Sequence, residues 1–170
     1  MKTLFIGRFQ PFHNGHLGVI KNYAPVSEKI IIGIGSSQLH HTRENPFTAE
    51  ERKKMIQETL GQEGIKNYET YFIPDINDPP NWVKHVESIV PRFDLVVAHN
   101  DFTLTLFKEK NYKVEKTPLF GGEGCSGQEI RKRIAYDEEW RTLVPETVAD
   151  IIEEIDGVKR IKNLYNAETG

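Results

Sequence analysis

Apolar positions along this chain follow two alternating periods. Lys29-Ile30-Ile31-Ile32-Gly33-Ile34-Gly35 is continuous and β-branched, the pattern of a strand buried on both faces. Leu4-Phe5-Ile6, Thr70–Pro74 and Asp94–Ala98 predict further strands, and a short one near Tyr112–Lys116 completes the sheet. Helical spacing covers Leu17–Tyr23 and about 49–61, 80–90 and 101–110, between the strands. The helix from Ala49 carries a start signal, with Thr48 as N-cap and Glu51 as its capping-box partner. From about residue 126 the chain is helical. One helix covers Gly127–Tyr136. A second is opened by Pro145 and ended by Gly157, with Val148, Ile151, Ile152 and Ile155 on one face. This order, with short connections, predicts an α/β fold: a Rossmann-like, doubly wound, mostly parallel sheet with C-terminal helices. No repeat, linker or low-complexity tract interrupts it, so residues 1–170 read as one domain.

Composition narrows the classes. A chain of 170 residues can fill one core but not two ordinary domains. The formal charge of −3 and the lack of a basic run exclude a nucleic-acid partner held by bulk electrostatics. Cys125 is the single cysteine, which rules out an intrachain disulfide and fits a reducing compartment. No stretch approaches the ~18 apolar residues of a membrane span. The chain enters its first strand directly after Met1 and Lys2, so no leader is expected. A soluble cytoplasmic protein, with no membrane partner, is the expectation.

Two segments carry chemistry. Gly7-Arg8-Phe9-Gln10-Pro11-Phe12-His13-Asn14-Gly15-His16 joins the first strand to the first helix. A glycine-bearing turn at a helix start gathers unpaired backbone N–H groups and the positive end of the helix dipole, which together suit an anion. Two histidines and an arginine added there suit a polyphosphate. Ser126-Gly127-Gln128-Glu129-Ile130-Arg131, with Arg133 shortly after, is a second helix start, capped by Ser126. Both starts can lie at the carboxyl end of one sheet, where open α/β folds bind ligands. The remaining histidines, His40, His41, His85 and His99, have no zinc-ligand spacing and read as solvated or hydrogen-bonded. Cys125 reads as a small loop residue rather than a nucleophile, and Arg43 as a loop cation that either closes on phosphates or stays solvated.

These motifs resemble the HxGH class of nucleotidyltransferases, and within it the archaeal-type nicotinamide-nucleotide adenylyltransferase family. Ile34–Gln38, Asn45-Pro46-Phe47-Thr48-Ala49-Glu50-Glu51-Arg52, Trp82-Val83, Pro118-Leu119-Phe120, Trp140-Arg141 and Leu143–Glu146 extend the likeness from about residue 3 to 163. The resemblance implies an enzyme that transfers AMP from ATP to nicotinamide mononucleotide (NMN), giving NAD and pyrophosphate by in-line attack of the NMN phosphate. It implies His13, His16, Arg8 and Arg131 as catalytic residues, with His16 at the α-phosphate and His13 at the β/γ side. ATP would be bound by Gly7, Arg8, Phe9, His13, Gly15, His16, Ser126, Gly127, Arg131 and Arg133, with Gly15 admitting close backbone approach. NMN would be bound by Trp82, Asn77 and Asn100, with Trp82 stacking on the nicotinamide ring; without the resemblance, Trp82 reads as a core anchor. Mg²⁺, or another divalent cation, would be held mainly by substrate phosphates, with no protein metal ligand.

Gln128 stands where this family usually has a small hydroxyl residue, and His99 where it has glycine. Transfer to another phosphorylated acceptor, phosphopantetheine or flavin mononucleotide, stays open. So does a non-catalytic module sensing ATP or NAD. The family also implies a homo-oligomer.

Overall fold

The computed structural model describes residues 1–118 and 120–169. Five strands, β1 (Lys2–Gly7), β2 (Lys29–Gly35), β3 (Tyr68–Ile73), β4 (Leu95–Ala98) and β5 (Lys113–Lys116), form one sheet in the order β3-β2-β1-β4-β5. All four pairings are parallel. The order reverses at β1, so the switch point of this Rossmann-like α/β sheet lies beyond the carboxyl ends of β1 and β4. The helices are α1 (Asn14–Tyr23), α2 (Ala49–Gln62), α3 (Pro79–Ile89), α4 (Asp101–Glu109), α5 (Gly127–Ala135), α6 (Glu146–Glu154) and α7 (Gly157–Thr169). Among the described residues no helix is long and apolar enough to cross a membrane.

The chain divides into two compact units. The first, Met1–Arg8, Val19–Ser37 and Ile65–Pro118, holds the sheet with α3 and α4. Register places Leu4 beside both Ile31 and Val96, so these three share one face. Ile73, Val83, Val86, Val90, Phe93 and Phe107 complete that core, with Trp82 partly buried against it. Trp82 meets Phe107 edge to face at 5.5 Å, so the core-anchor role of this tryptophan is real whatever else it does.

The second unit, Phe9–Gly18, Gln38–Gly64 and the described residues after Pro118, is helical. In it α6 packs on α2 and α7, and α5 packs on α7. Val148, Ile151 and Ile152 are buried, as the spacing of the helix requires. The Thr48 capping box forms with both of its bonds. Arg52, fully buried, donates from Nε to the Thr48 carbonyl and from Nη2 to the Leu39 carbonyl, each at 3.2 Å.

Two boundaries correct the sequence expectations. Gly157 does not end the C-terminal helix region but opens α7, which the sequence pattern left unassigned. The break between α6 and α7 falls on Asp156, at φ 57°, and a Cβ on Gly157 would lie 3.0 Å from the Ile152 carbonyl oxygen. The glycine is there for close packing at the corner. α1 starts at Asn14 rather than Leu17, which brings His16 into the first turn. Pro79 and Pro80 form the first turn of α3, close to the expected start near residue 80, as proline's fixed φ allows.

Glu51 also forms a two-pronged ion pair with Arg160 of α7, at 2.6 and 2.9 Å, and Arg160 donates a third bond to the Pro46 carbonyl at 3.1 Å. Burial pushes the Glu51 carboxyl up, but the bonds from Arg160 and the Thr48 N–H outweigh it and hold the group below its ordinary value. A depressed folded-state value stabilises the protein above the unfolded carboxyl value of ~4.3 and is lost as pH falls through the folded one. Arg160→Met is therefore expected to cost about 1–2 kcal/mol at pH 7. The gap to wild type should narrow below pH 4, as read by thermal melts across pH; a pH-independent gap would refute the pairing energetics.

Candidate active site

The first motif builds an unusual helix start. After Arg8, which is exposed, Phe9 takes a left-handed backbone (φ 55°) while its side chain is buried. His13 then serves as N-cap of α1: the Leu17 N–H donates to its carbonyl at 3.0 Å. Its Nδ1 accepts the N–H groups of Gly15 at 3.1 Å and His16 at 3.3 Å. In return, the His13 N–H donates to Nδ1 of His16 at 3.1 Å. This is a reciprocal capping box with histidine in both positions.

The consequence is chemical. A neutral imidazole nitrogen that accepts N–H bonds carries no proton, so both rings hold theirs on Nε2. The two rings stack at 3.6 Å, and His16 also lies against Phe12 at 5.6 Å and the edge of Phe9 at 4.7 Å. The helix start thus carries two neutral Nε2–H donors in a fixed pair, added to backbone N–H groups. Phe9 and Phe12, one of them expected to bind ATP, form the packing under His16.

Gly15 also has a structural reason within the turn. A Cβ there would lie 2.9 Å from Cε1 of His13 and 3.1 Å from the Phe120 carbonyl oxygen, so the missing side chain makes room for the histidine itself. Cys125 completes the corner. Its Sγ accepts the Gly15 N–H at 3.3 Å and lies 3.5 Å from Nδ1 of His13. Burial pushes the thiol up, against the pull of the Gly15 and Asn14 N–H groups, which keeps it protonated and unreactive at neutral pH.

The second motif meets the first within the same unit. Ser126 caps α5, accepting the Glu129 N–H at 3.1 Å. Arg131 is buried, and its Nη1 donates to the Gln10 carbonyl at 2.7 Å. Gly127 allows this: a Cβ on it would come within 2.7 Å of that nitrogen. Arg133 is held elsewhere, by Glu129 at 3.2 Å and the Glu139 carbonyl at 3.1 Å. Of the two arginines, Arg131 is the one brought to the histidine turn. Gln10, whose carbonyl receives Arg131, is a buried polar residue that sequence reasoning left without a role. It lies inside the quoted motif, but no residue type or spacing signals a partner 37 positions away.

In the first unit, Asn77 is exposed in a left-handed turn at φ 52°. Asn100 caps α4, accepting the Thr103 N–H at 3.0 Å. His99 precedes it, exposed, at the carboxyl end of β4. His85 pairs with the Pro74 carbonyl at 2.9 Å, while His40 and His41 pair with each other through Nδ1 atoms 2.9 Å apart. Arg43 lies over the Tyr165 ring, 4.1 Å from its centre. Among the described residues no group of three His, Cys, Asp or Glu side chains is disposed to hold a metal.

A parallel sheet with an imidazole-bearing, glycine-containing turn after its central strand, and an arginine drawn to that turn, defines a nucleotidyltransferase. The cytidylyltransferase-like family matches residues 4–133, and the chain belongs to it, within the nicotinamide-nucleotide adenylyltransferases. The nicotinamide-nucleotide adenylyltransferase of Methanolobus tindarius is 44% identical over 167 residues, covering 98% of this chain and 96% of that protein. The one from Methanococcus aeolicus is 48% identical over 166 residues, covering 96% and 95%. Among solved structures, a bifunctional NMN adenylyltransferase/ADP ribose pyrophosphatase from Francisella tularensis, complexed with AMP and a manganese ion, superposes with a TM-score of 0.76 at 25% identity. The match covers 96% of this chain and 51% of that protein.

Proposed function

We propose that this chain transfers the adenylyl group of ATP to NMN, releasing pyrophosphate and forming NAD, with residues 1–170 acting as one nucleotidyltransferase domain. The reciprocal His13/His16 cap carries the reading. It fixes two neutral donors at a helix start, which suits charge that grows on a triphosphate. The NMN phosphate is already anionic, so attack on the α-phosphorus needs no strong base, and the protein's task is alignment and charge stabilisation. His16 acts at the α-phosphate and His13 on the pyrophosphate side. Arg8 and Arg131 clamp phosphate oxygens through guanidinium forks. Gly7, Phe9 and Gly15 contribute backbone, Ser126 and Gly127 a second helix start, and Arg133 charge near it. Trp82 offers a ring face to the nicotinamide, with Asn77 and Asn100 on the nucleoside.

The donors at the two helix starts are N–H groups, imidazoles and guanidinia rather than carboxylates. That set fits a divalent cation, Mg²⁺ or another, carried by substrate phosphates and not by a protein cage. When bound, the cation neutralises phosphate charge.

The test is acceptor exchange. With ATP and Mg²⁺, pyrophosphate release is expected with NMN and to be at least about tenfold slower with flavin mononucleotide or phosphopantetheine. Preference for either of those would move the substrate and keep the mechanism. ATP binding with no pyrophosphate from any acceptor would support a sensor instead.

A further inference from the structure

Adenylyl transfer as described gives the Gln10 side chain nothing to do, yet it is only 3% exposed and fully engaged. Its amide exchanges two hydrogen bonds with a single residue. Nε2 donates to the Phe47 carbonyl at 3.0 Å, and the Phe47 N–H donates to Oε1 at 2.9 Å. A side chain here does what a partner strand does in a ladder, for a residue with none. The main-chain carbonyl of the same glutamine accepts from Nη1 of Arg131.

One residue therefore ties three segments: the turn leading to His13, the Asn45–Thr48 corner and, through Arg131, α5. The corner is a firm anchor. The Pro46 carbonyl takes bonds from Arg160 and from the His41 N–H, and Thr48 caps α2. Gln10 itself lies between a residue in the left-handed region and Pro11, where the backbone has no regular structure to hold it. Space-filling alone would be served by an apolar side chain of the same length, without the cost of burying an amide. A doubly satisfied buried amide specifies position.

We propose that Gln10 is a positioning residue for adenylyl transfer. Its clamp on Phe47 fixes the carbonyl that orients the Arg131 guanidinium, and with it the turn that presents His13 and His16. This rests on the adenylyltransferase reading.

The experiment measures kcat, KM and thermal midpoint for wild type, Gln10→Met and Gln10→Glu between pH 6 and 8. Gln10→Met keeps length and volume but cannot pair, and kcat on folded protein should fall about tenfold or more, with KM for NMN within about twofold. Gln10→Glu adds a second readout. Ionised, the introduced carboxyl can accept from the Phe47 N–H but has no proton for the Phe47 carbonyl. Protonated, it can make both bonds again. Burial raises such a group's pKa, so the ratio of variant to wild-type kcat should climb at least about threefold from pH 8 to pH 6, while Gln10→Met shows no such recovery.

A lowered midpoint with wild-type kcat in Gln10→Met would overturn the proposal, as would a flat ratio in Gln10→Glu. Should Gln10→Glu fail to fold at pH 8, Gln10→Met decides alone. Wild-type protein that forms no NAD would instead overturn the underlying reading, an outcome visible before any variant is measured.

Discussion

Replacing His16 by alanine is expected to lower kcat by ~10²–10³, roughly 3–4 kcal/mol of transition-state stabilisation, with KM for ATP changed little. The ring's Nδ1 is committed to the His13 N–H, so the protonated Nε2 is the chemically useful end. An N–H donor on a phosphate matters most as charge moves toward the leaving group, and its loss therefore falls on kcat. The substitution also removes a ring packed between Phe12 and His13 and leaves the His13 N–H without its acceptor. A stability loss of about 2–4 kcal/mol should accompany it, so rates must be referred to folded protein. His16→Asn separates the two effects. Its Oδ1 can accept the His13 N–H, but nothing replaces Nε2–H, so the melting temperature should largely recover and the rate should not. A kcat near wild type in either variant would remove His16 from the chemistry.

Arg131→Ala is expected to reduce kcat/KM for ATP by ~10²–10³, and Arg131→Lys to restore less than about a tenth of the loss. One prong of the guanidinium is fixed on the Gln10 carbonyl, which aims the rest of a planar fork. Lysine keeps the charge but supplies a flexible point donor that cannot hold the carbonyl and meet a phosphate together. Full activity in Arg131→Lys would show that charge alone suffices. Here the loss should appear in both kcat and KM, because an arginine that clamps the triphosphate as proposed would hold it before and during transfer. That pattern distinguishes it from His16.

The strands and helices themselves were legible because β2 is apolar throughout while α2 and α6 carry their apolar residues at helical spacing. α7 was not, because Gly157 is the usual mark of a helix end and the actual break, Asp156, carries no such mark. The early start of α1 was hidden for a related reason. Its N-cap is a histidine, outside the usual Ser, Thr, Asp and Asn set, so the histidines read as chemistry rather than as the cap they also form. Residue types within ten positions pointed to the phosphate-handling turn. The bonds that arrange it, Gln10 to Phe47 and Arg131 to Gln10, span 37 and 121 positions and follow only from the folded chain. Gly15 shows the same limit: its type was legible, but its neighbour, the His13 ring, was not.

The most direct test of the central claim is NAD formation. Protein incubated with ATP, Mg²⁺ and NMN, and read by a coupled dehydrogenase, should produce NAD in step with pyrophosphate. Production should cease when the metal is chelated and fall by ~10²–10³ in His16→Ala. Nicotinamide-containing product absent from the wild-type reaction, under conditions where ATP binds, would contradict the account.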